Sequence, residues 1–178
     1  MACKRSILFS LIALATVCCG GATTKVIEDA CAHSHSPKNC IASLQSNPDS
    51  QNATLTQLSL IALKLASANA TDTSMYIKSL LNNGSFEPTI DQALRDCEEL
   101  YLDAIEQLDN SVAAVLSGAG KDVRTWVAAA ISDADSCADS FQTSSQVEDD
   151  KLLLSRNAIF RQLCNNVVAI HKLTVLKH

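Results

Sequence analysis

Residues 88–120 read PTIDQALRDCEELYLDAIEQLDNSVAAVLSGAG, and within them Leu94, Cys97, Tyr101, Ile105, Leu108, Val112 and Val115 recur every three or four residues. That interval returns to one side of a helix with about 3.6 residues per turn, so the stretch reads as a single amphipathic helix. Pro88 suits its first turn, where a missing backbone N–H costs no intrahelical bond, and Gly118 and Gly120 end it. A stripe of this length is stable only when other helices cover it.

The flanking sequence supplies three candidates. Upstream, Leu58, Ala62, Leu65, Tyr76, Ile77, Leu80 and Leu81 share a face of a helix from about Thr54 to Asn82, stopped by Asn82, Asn83 and Gly84. Downstream, Asp122 is a candidate N-cap for a helix carrying Trp126, Val127, Ala130, Ile131, Ala134, Cys137 and Phe141. A polar loop from Gln142 to Ser145 leads to a last helix, from about Asp149 to the end, with the stripe Leu152, Ile159, Leu163, Val167, Ile170 and Leu173. Short connections make successive helices antiparallel, which predicts an all-α, up-down-up-down, left-handed four-helix bundle over residues 54–178. Two shorter helices, Val26 to Ala32 and Pro37 to Leu44, form a helical hairpin within residues 23–48. No strand-like alternation competes.

Lys4 and Arg5, the apolar run Ile7 to Val17, and Gly20, Gly21 and Ala22 have the order of a secretory leader, so residues 1–22 are read as a signal peptide and 23–178 as one domain. The apolar run is far short of the roughly 20 residues that span a bilayer. A lipoprotein signal fits poorly, because Val17 and not a small residue precedes Cys18. The expected product is secreted, extracellular and acidic, its formal charge moving from −5 to −7 when Lys4 and Arg5 leave. Nucleic acid and anionic membrane, which select cationic surfaces, are excluded as partners.

Five cysteines follow the leader: Cys31, Cys40, Cys97, Cys137 and Cys164. In an exported chain this reads as two disulfides and one free thiol. A bridge between Cys97 and Cys137 would tie two consecutive bundle helices, and one between Cys31 and Cys40 would staple the hairpin. Cys164, among Leu163, Val167 and Val168, reads as a buried small hydrophobe. Zinc on Cys31, His33, His35 and Cys40 is disfavoured by the oxidising route. No nucleophile elbow, zinc-protease helix or complete phosphate loop occurs, since Gly120-Lys121 is followed by Asp122 where Ser or Thr is needed. Neither an enzyme nor a cofactor or metal site is expected.

Glu99, Asp103 and Glu106 stand at i, i+4 and i+7 of the helix first quoted, making one acidic stripe. A solvated face is the simplest reading, but like charges at that spacing repel slightly, which suggests a complementary partner. Their ionisation would couple to binding, in a direction set by the groups the partner brings. Asn52-Ala53-Thr54, Asn69-Ala70-Thr71 and Asn83-Gly84-Ser85 are N-glycosylation sequons, with Asn69 inside a helix.

Several runs together carry a resemblance over essentially the whole mature chain. They are Pro37-x-x-Cys40 after Cys31, Leu94-Arg95-Asp96-Cys97-Glu98-Glu99-Leu100-Tyr101-x-x-Ala104, Asp122-Val123-Arg124-Thr125-Trp126-Val127-x-Ala129-Ala130, and Cys137-x-Asp139-x-Phe141. With these the chain resembles the plant invertase and pectin methylesterase inhibitors. The resemblance implies a four-helix bundle with an N-terminal hairpin, disulfides Cys31–Cys40 and Cys97–Cys137, and a free fifth cysteine. It implies a protein that is not an enzyme and that blocks the active-site groove of a cell-wall carbohydrate enzyme, one to one. Invertase inhibitors of this group present Pro-Lys-Phe between the second and third bundle helices, whereas this chain has Gly118-Ala119-Gly120-Lys121-Asp122. Pectin methylesterase is therefore the expected target, with acid invertase the alternative. The resemblance places Glu99, Asp103, Glu106, Ser136 and Asp139 toward the enzyme, with Ser136 where Thr can stand. The end at His178 reads as a free-standing inhibitor rather than a precursor enzyme. A small-ligand carrier would need a cavity that the Leu, Ile and Val stripes should fill, and a wall protein without inhibitory activity would leave no mark in the sequence.

Overall fold

The computed structural model describes residues 21–141 and 148–176. Residues 1–20 of the expected leader, the expected loop from Gln142 to Ser145, and the last two residues lie outside them. The described chain is helical throughout: α1 Gly21–Cys31, α2 Pro37–Gln45, α3 Leu55–Asn83, α4 Pro88–Ser117, α5 Gly120–Ser140 and α6 Glu148–Leu176, with a 3₁₀ turn Pro48–Asn52 before α3. The bundle is a closed ring in which α3 packs on α4, α4 on α5, α5 on α6 and α6 on α3, leaving α5 diagonally across from α3. The hairpin α1–α2 lies over α6 and the start of α3. Among the described residues no helix is long and apolar enough to cross a membrane.

Local chemistry sets the helix ends. Thr54 caps α3 by accepting from Gln57 N (3.3 Å) while the Gln57 side chain accepts from Thr54 N (2.8 Å), a reciprocal capping box that satisfies two orphan donors. Pro88 occupies the first turn of α4, and Gly118 ends that helix in the left-handed region at φ 77°, which glycine enters without a Cβ penalty. Only Gly118 and Ala119 separate α4 from α5, because α5 starts at Gly120, two residues before Asp122. Asp122 is accordingly not the N-cap expected of it; it sits in the first turn, where a carboxylate still complements the helix dipole.

The interior is filled by Leu58, Leu63, Ile77, Leu94, Tyr101, Leu108, Val123, Val127, Leu153, Phe160 and Ile170, all essentially fully buried. Burial of one such side chain contributes roughly 1.5–3 kcal/mol. Small buried residues Ala93, Ala104, Ser111 and Ala114 on α4 and Ala130 and Ala134 on α5 allow these helices to approach closely. Cys97 and Cys137 are bonded across them with Cα atoms 4.7 Å apart, and Cys31 and Cys40 close the hairpin at 5.7 Å. Ile27, Ala30 and Leu44 carry the hairpin into the same core, and Ser34 Oγ donates to Asn166 Oδ1 of α6 (2.6 Å).

Two expected stripes need correction. On α5, Trp126 is 37% exposed and lies outside the core that Val127, Ala130, Ala134 and Cys137 join. On α6, Leu152 and Ile159 are 46% and 49% exposed. The face that enters the bundle is Leu153, Asn157, Phe160, Cys164, Val167, His171 and Thr174, an alternating four-three spacing with three polar members. Each polar member has a partner. Asn157 Oδ1 accepts from Tyr101 OH, His171 Nδ1 lies 3.2 Å from Ser59 Oγ, and Thr174 Oγ1 donates to His171 O (2.7 Å). Buried polar groups so paired avoid the desolvation penalty that would otherwise expel them.

Candidate interaction face

Glu99, Asp103 and Glu106 are exposed on the outside of α4, and among the described residues none of them makes an ion pair. Ser136 and Asp139 are exposed on α5, where the Cys97–Cys137 bond fixes them at the level of Cys97, two residues before Glu99 on the adjoining helix. The Ser136 hydroxyl donates to Ser132 O (2.9 Å), a bond within the helix that leaves oxygen lone pairs available outward. The five residues thus belong to two adjoining helices rather than to one cleft, and what they can form is a polar contact surface.

One member was not singled out by the sequence reading. Asp133 on α5 is half-buried, its Oδ2 has no hydrogen-bond partner, and burial pushes its carboxyl above the usual aspartate value, with the Asp103 carboxylate adding to the push. The influence of Asp103 brings Asp133 on α5 within electrostatic reach of the α4 stripe. Its spacing, three residues before Ser136, puts it on the same side of α5 as that residue, but no signal in the sequence joins it to the α4 stripe. Trp126, displaced from the expected core, lies seven residues before Asp133 and so shares its side of α5.

The raised carboxyl of Asp133 has a definite sign. Its folded-state value lies above the unfolded one, so the stability it contributes is complete below the ordinary aspartate value of about 3.9 and is lost as pH rises through the folded-state value. Asp133→Asn is expected to remove that dependence: its urea midpoint should gain on the wild type as pH is raised through this window and stay level above it. A wild type that gains on the variant instead would reverse the assignment. The effect is small, because the group is only partly removed from water.

The connection between α4 and α5 is held from behind. Nε2 of the buried His171 donates to Gly120 O (2.8 Å), while Nδ1 faces the hydroxyls of Ser59 (3.2 Å) and Thr174 (3.3 Å). A Cβ at position 120 would stand 3.1 Å from His171 Nε2, so any larger residue there would require the ring to shift by a few tenths of an ångström. Cys164 is buried in the core, and burial raises its thiol far above the ordinary value, which makes it inert. Among the described residues no group of three His, Cys, Asp or Glu is arranged to hold a metal, and Cys31 and Cys40 are bonded to each other.

Residues 25–170 match the family model described as plant invertase/pectin methylesterase inhibitor. A pectinesterase inhibitor of Actinidia deliciosa is 28% identical over 85% of this chain and 80% of its own length. A cell wall / vacuolar inhibitor of fructosidase from Arabidopsis thaliana is 33% identical, but over only 48% of each chain. Among solved structures, a mutant form of a pectin methylesterase inhibitor from Arabidopsis superposes with a TM-score of 0.71 at 25% identity, covering 85% of this chain and 97% of that one.

Proposed function

We propose, from the premise that this chain belongs to the plant invertase/pectin methylesterase inhibitor family, that it binds a pectin methylesterase one to one and blocks the groove through which pectin reaches the active site. The family is one of inhibitor proteins and not of enzymes. Within this reading residues 23–178 act as one exported, extracellular inhibitor domain, with the hairpin over 23–48 and the bundle over 54–178.

The observation that carries the choice of face is the unneutralised stripe Glu99, Asp103 and Glu106, continued by Asp133 on α5 and flanked by Ser136 and Asp139. Like charges on one helix face repel by a few tenths of a kcal/mol, a strain that cationic groups on a partner would relieve. Cationic groups also favour the ionised form of Asp133, so its proton is released on binding and association tightens as pH rises through its raised value.

The choice of methylesterase over acid invertase is supported by the α4–α5 connection. It consists of Gly118 and Ala119 alone, contains neither Pro nor Phe, and is drawn inward by His171. The fructosidase inhibitor's 33% identity over about half of this chain keeps invertase as the second reading.

The decisive test is titration of the oxidised protein into a pectin methylesterase assay, with a cell-wall invertase assay in parallel. Saturable loss of methylesterase activity near one equivalent is the expected result, and loss of invertase activity alone would overturn the target. The double reversal Asp103→Lys and Glu106→Lys should weaken inhibition by roughly tenfold or more at unchanged helical content. Equal inhibition by this variant would place the contact on another face.

A further inference from the structure

The three sequons all lie on or beside α3, yet the structure treats them differently. Asn52 is exposed at the end of the 3₁₀ turn, and the two residues after it are extended, Ala53 at φ −75°, ψ 139° and Thr54 at φ −69°, ψ 166°. Asn83 is exposed as the last residue of α3, its Nδ2 donating to Ser79 O (2.9 Å) in a solvent-facing bond that transfer would have to break, and it is followed by Gly84, also extended at φ −88°, ψ 160°. Asn69 is half-buried in the middle of α3, with its Oδ1 buried and unpartnered.

The chemistry of transfer separates these settings. The anomeric carbon of an oligosaccharide leaves its polyisoprenyl pyrophosphate and bonds to the asparagine Nδ2; one amide proton departs and the pyrophosphate carries off the bonding electrons. The hydroxyl two residues on must approach the carboxamide. Extended backbone permits that approach, but in a helix residues i and i+2 do not face each other. Thr71 Oγ1 is moreover tied to Ser67 O (2.9 Å), a local bond available as soon as this helix forms. A glycan at Asn69 would also have to emerge beside a carboxamide whose oxygen is packed into the protein.

We infer that Asn52 and Asn83 carry N-linked glycans and that Asn69 does not. The two sites lie at opposite ends of the 29-residue α3, a helix about 43 Å long. α3 is diagonal to α5 in the bundle, and neither α4 nor α5 contains a sequon. The sugars therefore sit at the two ends of α3, on the side of the bundle diagonal to α5, and the acidic stripe on α4 and α5 itself bears none.

This inference rests on the export reading, and the test separates the two. The full chain is expressed in plant cells, recovered from the medium, and released from glycan with a peptide N-glycosidase in heavy-oxygen water, which marks each formerly occupied asparagine as a labelled aspartate. Label at Asn52 and Asn83 in most molecules, with none above background at Asn69, is the expected result. Label at Asn69 to a similar degree, or none at Asn52 and Asn83 in secreted protein, overturns the inference. Should the chain stay inside the cell, the export reading fails, and the same chain behind a heterologous leader reads the three sites independently. In that setting Asn52→Gln and Asn83→Gln should each remove one mobility step on a gel, whereas a step lost by Asn69→Gln would contradict the assignment.

Discussion

Truncating Tyr101 to alanine is expected to lower the unfolding free energy by about 3–5 kcal/mol, the range for loss of a large buried aromatic. Tyr101 is fully buried on α4, its ring 5.6 Å from that of Phe160 on α6 with the planes tilted by 55°. Its hydroxyl donates to Asn157 Oδ1, so the phenol joins diagonally placed α4 and α6 by packing and by a hydrogen bond. Burial raises the phenol far above its ordinary value, which keeps it a donor at any pH the fold survives. Tyr101→Phe separates the two contributions: it keeps the ring but leaves the Asn157 carboxamide, only 2% exposed, without its donor, at roughly 1–3 kcal/mol. Urea unfolding of both variants should rank alanine well below phenylalanine. Equal losses would mean that the hydrogen bond, rather than the ring, holds this layer of the core together.

The second large effect concerns the disulfide between α4 and α5. Replacing both Cys97 and Cys137 by alanine should lower stability by about 4 kcal/mol, because the bond closes a sequence separation of 40 in the unfolded chain. For a chain of this size that corresponds to a fall in Tm of roughly 8–16 °C. Alanine is the informative substitution, since a serine would bury an extra hydroxyl at two fully buried positions. The same change at Cys31 and Cys40, whose separation is 9, should lower stability by only about 3 kcal/mol. Thermal unfolding of both double variants tests the ordering, and a larger loss at the hairpin would show that its packing on α6 depends on the local staple.

The disulfide also bears on inhibition. It fixes Ser136 and Asp139 beside the α4 stripe, so its removal should weaken inhibition by disordering the face even at temperatures where the bundle persists.

How much was legible in the sequence differed from helix to helix. α3 and α4 were readable nearly to the residue, because breakers mark their ends: Asn83 and Gly84 after α3, Pro88 at the start of α4 and Gly118 after it, while the Thr54 and Gln57 box that starts α3 emerged only in the structure. The start of α5 was misplaced by two residues because the helix has no side-chain cap. What holds Gly120 is His171, 51 residues away, and no local pattern encodes a bond of that range. The 3₁₀ turn at Pro48–Asn52 went unread, being too short to show a period.

The acidic face was legible as a stripe because i, i+4 and i+7 on one helix is a matter of sequence alone. Its continuation to Asp133 was not, since that depends on which helix lies against α4 and at what height, quantities set by the bundle and the Cys97–Cys137 bond. On α6 the apolar residues pointed to a stripe through Leu152 and Ile159, whereas the bundle buries Leu153, Asn157, Phe160, Cys164, Val167, His171 and Thr174.

The sequence by itself therefore determined the all-α class, the four long helices, their antiparallel order and the cysteines available for bridging, because each follows from local periodicity, breakers and chain connectivity. Tertiary structure alone decided which side of α6 faces inward and which carboxylates share a surface. The physical reason is that polar side chains on the buried face of α6 are accommodated by partners from other elements: Tyr101 for Asn157, Gly120 and Ser59 for His171. Hydrophobicity read along one helix cannot register a partner supplied by another.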